Sequence, residues 1–188
     1  MKIRYDFVTN SSSSSFIAIN KGNYKNCNLE IEENLDNFTL FESGNKEFGW
    51  DFKEFSDIRS KINYILIQMS DLMEYGKDEY FSKEIIQTYR KMIESVLSNN
   101  LGINIDWNEL QKRKDSPHKY IYVDHQSNFY ECPYLVEFLL ESESRLEDFL
   151  FNDKSVIITG NDNVYDEGGN FNGLDSKYRY NSDYITYY

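Results

Sequence analysis

Two consecutive segments in the middle of the chain carry apolar residues at the spacing of an amphipathic helix. Across residues 54–74, six large apolar side chains recur every three or four positions from Phe55 to Met73, and Gly76 follows where a C-cap glycine belongs. A second segment, residues 78–99, repeats this spacing before a stretch that contains Asn and Gly. We therefore predict two helices joined by a short loop, which form an antiparallel hairpin in the middle of the fold.

Short strand-like runs flank this helical hairpin on both sides. The alternating run KIRYDFV, the apolar run SFIAIN and the segments NLEIEE and FTLFES predict an N-terminal antiparallel meander. Farther along, KYIYVD and SVIITG also read as strands, and the tail YRYNSDYITYY suits an edge strand. Between them, PYLVEFLLES and SRLEDFLF predict one helix or two, with Pro133 in a first turn.

The length and composition suit one domain that spans residues 1–188. The chain has 188 residues, of which 40% are hydrophobic, so it can bury a sizeable core. We predict an α+β fold, in which N- and C-terminal segments supply an antiparallel sheet and the helices cluster between them. Cys27 and Cys132 are isolated, which is typical of reduced cysteines. Because charged residues interrupt the N-terminal run and no stretch is apolar enough to span a membrane, we expect a cytoplasmic protein.

Negative charge is concentrated in two blocks. The net charge is −12. Residues 28–57 carry nine acidic residues against two lysines, and residues 131–153 carry seven against Arg145 alone, so the two blocks have net charges of −7 and −6. Such a charge distribution repels nucleic acid and acidic membranes and favours basic partners.

The charge pattern suggests a small acidic factor, without enzymatic activity or a cofactor, that docks on a basic, nucleic-acid-binding surface of a host protein. Aromatic residues lie among the carboxylates of the first block, and aromatic anchors beside carboxylates suit an arginine-lined surface. The alternative interpretation is a solubilising acidic surface above core aromatics. The candidate partner-binding residues are Glu30, Glu32, Glu33, Asp36, Glu42, Glu47, Trp50, Asp51 and Glu54.

A run of five serines, Ser11 to Ser15, precedes the first apolar run. Serine hydroxyls can bind a phosphate, but a phosphate loop needs glycines and a helix N-terminus behind it, and this run has neither. We therefore interpret the run as a turn or an irregular strand.

The opening MKIRYDFVTNSSSSSFI is similar to the first residues of many short proteins of phages and low-GC bacteria. Those proteins begin with one or two basic residues, a Phe-Val pair, an Asn and a serine run that ends in Phe. The later segments YVDHQS and FLFNDKSVIITGNDN look like the second half of some of them. The resemblance implies a setting in mobile genetic elements and no particular activity. In that setting, an inhibitor of a host nucleic-acid-targeting enzyme, such as an anti-CRISPR protein, would fit the size, the charge and the lack of motifs.

A metal- or nucleotide-dependent enzyme is the alternative. Asp124 and His125 end one predicted strand, Asp162 follows another, and Asp166 or Glu167 could complete a set of oxygen and nitrogen ligands. The same residues are also ordinary surface chemistry at strand ends, and the chain contains no HExxH, Walker, nucleophile-elbow or CxxC motif.

Overall fold

The computed structural model describes residues 13–22, 48, 52–76, 80–108, 110, 123, 128–130, 132–161, 177, 178 and 180–187. Within these residues the chain forms a four-stranded antiparallel sheet and four helices. The strands are β1 (Ser13–Asn20), β2 (Lys53–Phe55), β3 (Val156–Asn161) and β4 (Tyr184–Tyr187). The helices are α1 (Ile58–Tyr75), α2 (Lys83–Leu101), α3 (Pro133–Leu139) and α4 (Glu143–Phe151). The predicted α+β class is therefore confirmed.

The sheet has the strand order β2-β3-β1-β4. The N-terminal strand β1 lies between the two C-terminal strands, with Ile17 opposite Ile157 of β3 and Ile19 opposite Ile185 of β4. β4 lies at an edge of this sheet, as the sequence predicts. The last three serines of the run pair with β3, so this part of the run belongs to a regular strand.

Alternate residues of the sheet enter two apolar clusters. Ile17 and Ile157 belong to the large core, which includes buried residues of all four helices. Phe16 and Ile158, one position away on the same strands, belong to a smaller cluster with Tyr178. This division follows from the strand geometry, because successive side chains point to opposite faces of a sheet.

Helix α4 packs against α1, α2, α3 and β1. Its apolar residues Leu146, Phe149 and Leu150 are buried, and they follow the three- and four-residue spacing of an amphipathic helix. Helix α4 therefore joins the sheet to the other helices.

The two long helices begin later than the sequence predicts. Phe55, taken as the first apolar residue of a helix, instead lies in β2 opposite Ile157, and α1 begins only after Asp57. The Asp57 carboxylate accepts hydrogen bonds from the backbone N–H of Ser60 at 2.8 Å and from its hydroxyl at 2.6 Å. Because Asp57 caps the helix, α1 begins after this residue even though the helical spacing of apolar residues begins at Phe55. Similarly, α2 begins after the N-cap Ser82 rather than at residue 78.

The helix ends follow the predicted glycine signals. The Gly76 N–H donates to the Leu72 carbonyl oxygen at 2.8 Å and closes α1. Helix α2 runs to Leu101 and ends at Gly102, whose φ of 68° is left-handed. Pro133 occupies the first turn of α3, and Ser142 caps a separate helix, α4. The segment for which the sequence predicts one helix or two therefore forms two helices.

Several predicted strands lie outside the described residues. These are KIRYDFV, NLEIEE and FTLFES, and only Val123 of KYIYVD is described. Val123 forms a single parallel bridge with Phe48. In the part of the chain that the structure describes, no helix is both long and apolar enough to cross a membrane.

Candidate functional site

Most of the predicted site residues lie outside the described part of the chain. Of the candidate partner-binding set, only Glu54 is described. Glu30, Glu32, Glu33, Asp36, Glu42, Glu47, Trp50 and Asp51 lie outside it, and so do Asp124, His125 and Asp162 of the alternative metal site. Among the described residues there is no group of three or more His, Cys, Asp or Glu side chains that could hold a metal ion.

Glu54 makes intramolecular contacts beside the sheet. Its carboxylate Oε1 accepts a hydrogen bond from the Tyr178 hydroxyl at 2.9 Å, and the Lys177 ammonium lies 3.8 Å from the same oxygen. The Lys177 ammonium also lies 4.7 Å from the centre of the Tyr178 ring. Burial raises the pKa of Tyr178, so this hydroxyl remains a donor at neutral pH. Glu54 therefore helps to hold the smaller apolar cluster in place.

The second acidic block is largely described and forms helices α3 and α4. We call residues 132–153 the acidic α3–α4 segment. It contains six carboxylates and one cation, Arg145. Four of the carboxylates are exposed and two are half-buried, and these are Glu137, Glu141, Glu143 and Asp153, then Glu147 and Asp148.

Arg145 is engaged within this segment. Its guanidinium forms an ion pair with Glu141 and donates to the Phe138 carbonyl oxygen at 3.2 Å. It also lies over the Phe138 ring, 5.3 Å from the ring centre, and its side chain is only 19% exposed. The one cation of the segment thus donates to a carbonyl oxygen in the last turn of α3, and most of the carboxylates in the segment are exposed.

The two half-buried carboxylates have different surroundings. Glu147 accepts a hydrogen bond at 3.0 Å from the side-chain amide of Asn100, at the end of α2. Burial raises the pKa of Asp148 above its ordinary value of 3.8, the charge of Arg145 opposes this shift, and the charge of Glu147 adds to it. The ionised form of Asp148 is therefore less favourable in the folded protein than in water.

One exposed aromatic residue also belongs to the acidic α3–α4 segment. Tyr134, in the first turn of α3, is 68% exposed. Three residues later lies the exposed Glu137, which is close enough to α2 that its charge adds to burial in raising the pKa of Tyr89. The sequence predicts aromatic residues among carboxylates as a partner-binding surface in the first acidic block, and the second block also presents an exposed tyrosine and an exposed carboxylate, Tyr134 and Glu137.

A buried polar network anchors the C-terminal end of α4. Lys61 of α1 is 1% exposed, and its ammonium donates to the Asn152 carbonyl oxygen at 2.7 Å and to the Ser155 carbonyl oxygen at 3.2 Å. A cation at a helix C-terminus is favourable because the last carbonyls carry partial negative charge. The Asn152 side-chain amide in turn donates to the carbonyl oxygens of Asn20 and Gly22, both at 3.1 Å.

Sequence reasoning missed this network. The Ser155 hydroxyl accepts from the Asn20 N–H at 3.0 Å and donates to the Asp148 carbonyl oxygen at 2.7 Å, so it joins β1 to α4. The sequence does not mark Lys61 as buried, because Arg59, Ser60 and Asn63 around it are also polar. The network thus joins the C-terminal end of α4 to α1 and β1.

Comparison of the chain with protein-family models, with curated proteins and with solved structures gives no match.

Proposed function

We propose that the protein is an acidic protein-binding factor that docks on a basic surface of another protein. The observation that carries this proposal is the acidic α3–α4 segment, in which one cation stands against six carboxylates and is engaged with its own chain. A basic partner would supply the positive charge that the segment lacks.

The partner is inferred to be a protein with a basic groove. The net charge of −12 opposes contact with the phosphates of nucleic acid or with acidic membranes. Surfaces that bind nucleic acid are positively charged, so an acidic protein can compete for them. In the mobile-element setting that the resemblance implies, the protein would be a phage-encoded inhibitor of a host nucleic-acid-targeting enzyme, similar in role to an anti-CRISPR protein.

The buried network supports this proposal because it reduces the cost of binding. Association costs free energy when an interface must be ordered, and a pre-ordered surface avoids part of that cost. The bonds of Lys61 and Asn152 hold the end of α4 against α1 and β1. The exposed Glu143 of α4 and Asp153, which follows α4, are therefore presented from a part of the chain that is already ordered.

An affinity pull-down from nuclease-treated lysate of the natural host tests the proposal. The tagged protein would be compared with the double variant Glu143→Lys, Asp153→Lys, which reverses two exposed charges of the acidic α3–α4 segment. The matched control is Glu84→Lys, Asp183→Lys. Like the first pair, it changes one acid in a first helical turn and one in an exposed turn.

Each reversal adds two positive charges, so both double variants change the net charge from −12 to −8. We expect a basic nucleic-acid-binding protein to be captured by the wild type and by the control, and to be lost with Glu143→Lys, Asp153→Lys. Equal loss with both double variants would show a dependence on net charge alone. Capture of the same protein by all three forms would contradict a role for the acidic α3–α4 segment.

A further inference from the structure

Helix α3 and the residues just after it contain two aromatic–carboxylate pairs with the same sequence spacing. Tyr134 and Glu137 are three residues apart, and Phe138 and Glu141 repeat the same spacing immediately afterwards. Tyr134 and Glu137 both lie in α3, and residues three apart on a helix share one side of it. Glu141 lies beyond the end of α3, so Phe138 and Glu141 are brought together by their common contact with Arg145 and not by helix geometry.

The second pair shows what this spacing can bind. The Phe138 ring lies under the guanidinium of Arg145 at 5.3 Å, and the Glu141 carboxylate pairs with the same group. A guanidinium suits such a pair because it is planar, stacks on aromatic rings and donates several hydrogen bonds to a carboxylate. A lysine ammonium shares the charge but not the planar shape.

The first pair also combines an aromatic ring with a carboxylate, and both of its residues are exposed. Tyr134 is 68% exposed, and Glu137 is also exposed. We infer that Tyr134 and Glu137 form a receptor for an arginine side chain of the basic partner protein. This inference rests on the proposed function, and it adds that the docking surface selects arginine over lysine.

The test compares fluorescently labelled oligoarginine and oligolysine peptides of equal length, titrated into the full chain. The variants are Tyr134→Ala, Tyr134→Phe and Glu137→Gln. The matched controls are Tyr180→Ala, which removes a tyrosine that is 74% exposed, and Glu143→Gln, which neutralises another exposed carboxylate of the acidic α3–α4 segment. Because the substituted residues are exposed, the variants should keep the wild-type melting temperature, and this is measured for each.

We expect the wild type to bind oligoarginine more tightly than oligolysine. Tyr134→Ala should weaken oligoarginine binding roughly two- to fivefold, the range for an exposed cation–π contact, and should remove the preference. Tyr134→Phe should retain the preference, because Phe138 already binds a guanidinium without a hydroxyl. Glu137→Gln should weaken oligoarginine binding more than Glu143→Gln does, and Tyr180→Ala should leave the ratio unchanged.

The outcomes separate this inference from the proposed function. If both peptides bind and Glu143→Lys, Asp153→Lys weakens both, but Tyr134→Ala leaves their ratio unchanged, the arginine receptor is wrong and the acidic docking surface stands. Failure of oligoarginine to bind also overturns the receptor. The proposed function is then decided by the host pull-down.

Discussion

Replacing Lys61 by methionine tests how much the buried network contributes to stability. Methionine keeps most of the lysine volume and removes the ammonium that donates to Asn152 and Ser155. A hydrogen bond from a charged donor contributes about 1.5–3 kcal/mol, but the ammonium also loses its hydration when it is buried. The Asn152 carbonyl oxygen keeps a second donor, the Ser155 N–H at 3.0 Å. We therefore expect a net loss of about 2 kcal/mol in the free energy of unfolding.

The assay is thermal unfolding followed by circular dichroism, with chemical denaturation as a second measurement. A loss of about 2 kcal/mol corresponds to a decrease of about 4–8 °C in melting temperature for a chain of this size. The matched control is Lys91→Met, which makes the same substitution at an exposed position of α2 and should change stability by less than about 0.5 kcal/mol. A Lys61→Met protein as stable as the wild type would refute the reasoning, because the cost of burying the ammonium would then equal the gain from its bonds.

Three further predictions concern other contacts. Asp148→Asn should raise the melting temperature at neutral pH, because burial raises the pKa of this carboxyl and disfavours its ionised form. The gain in melting temperature should disappear at about pH 3, where the carboxyl is protonated in both the folded and the unfolded state, and an equal gain at both pH values would contradict this. Tyr178→Phe removes the hydroxyl that donates to Glu54 and should lower the free energy of unfolding, measured by denaturant titration, by about 1 kcal/mol. No loss of stability would mean that a hydrogen bond from water to Glu54 is equally favourable. Gly102→Ala should lower the free energy of unfolding by about 1 kcal/mol because the φ of Gly102 is left-handed, and Gly76→Ala should lower it more because a Cβ there would collide with a carbonyl oxygen of α1. A lower melting temperature for Gly102→Ala than for Gly76→Ala would contradict this.

The elements with strong periodicity could be predicted from the sequence. Strand β3 lies within one residue of its predicted run SVIITG, and α2 covers most of the predicted segment 78–99, although it begins five residues later, because local spacing and tertiary burial agree there. The start of α1 could not be placed from spacing alone. Phe55 continues the helical pattern, but its backbone pairs with Ile157, which is 102 positions away and invisible to a local pattern.

The predicted partner-binding residues belong to the first acidic block, and of this candidate set only Glu54 is described, so this prediction remains untested. The acidic α3–α4 segment was predictable only as a block of negative charge. Charge counting found the block at residues 131–153, and in its described part, residues 132–153, the structure shows two helices and four exposed carboxylates. It could not show that Arg145 is engaged with Phe138, since this contact depends on the bend between α3 and α4. Nor could it find the bonds of Lys61, because its partners are backbone carbonyls that carry no sequence signal.

The most direct test of the account is the salt dependence of partner capture by the wild-type protein. Contacts between exposed charges are screened as salt rises, because the Debye length falls from about 10 Å at 0.1 M to about 3 Å at 1 M. We predict that a basic protein captured from the nuclease-treated host lysate at low salt is released at high salt. Capture of a partner that is acidic, or that is retained equally at both salt concentrations, would contradict the proposal that this protein acts through its negative charge.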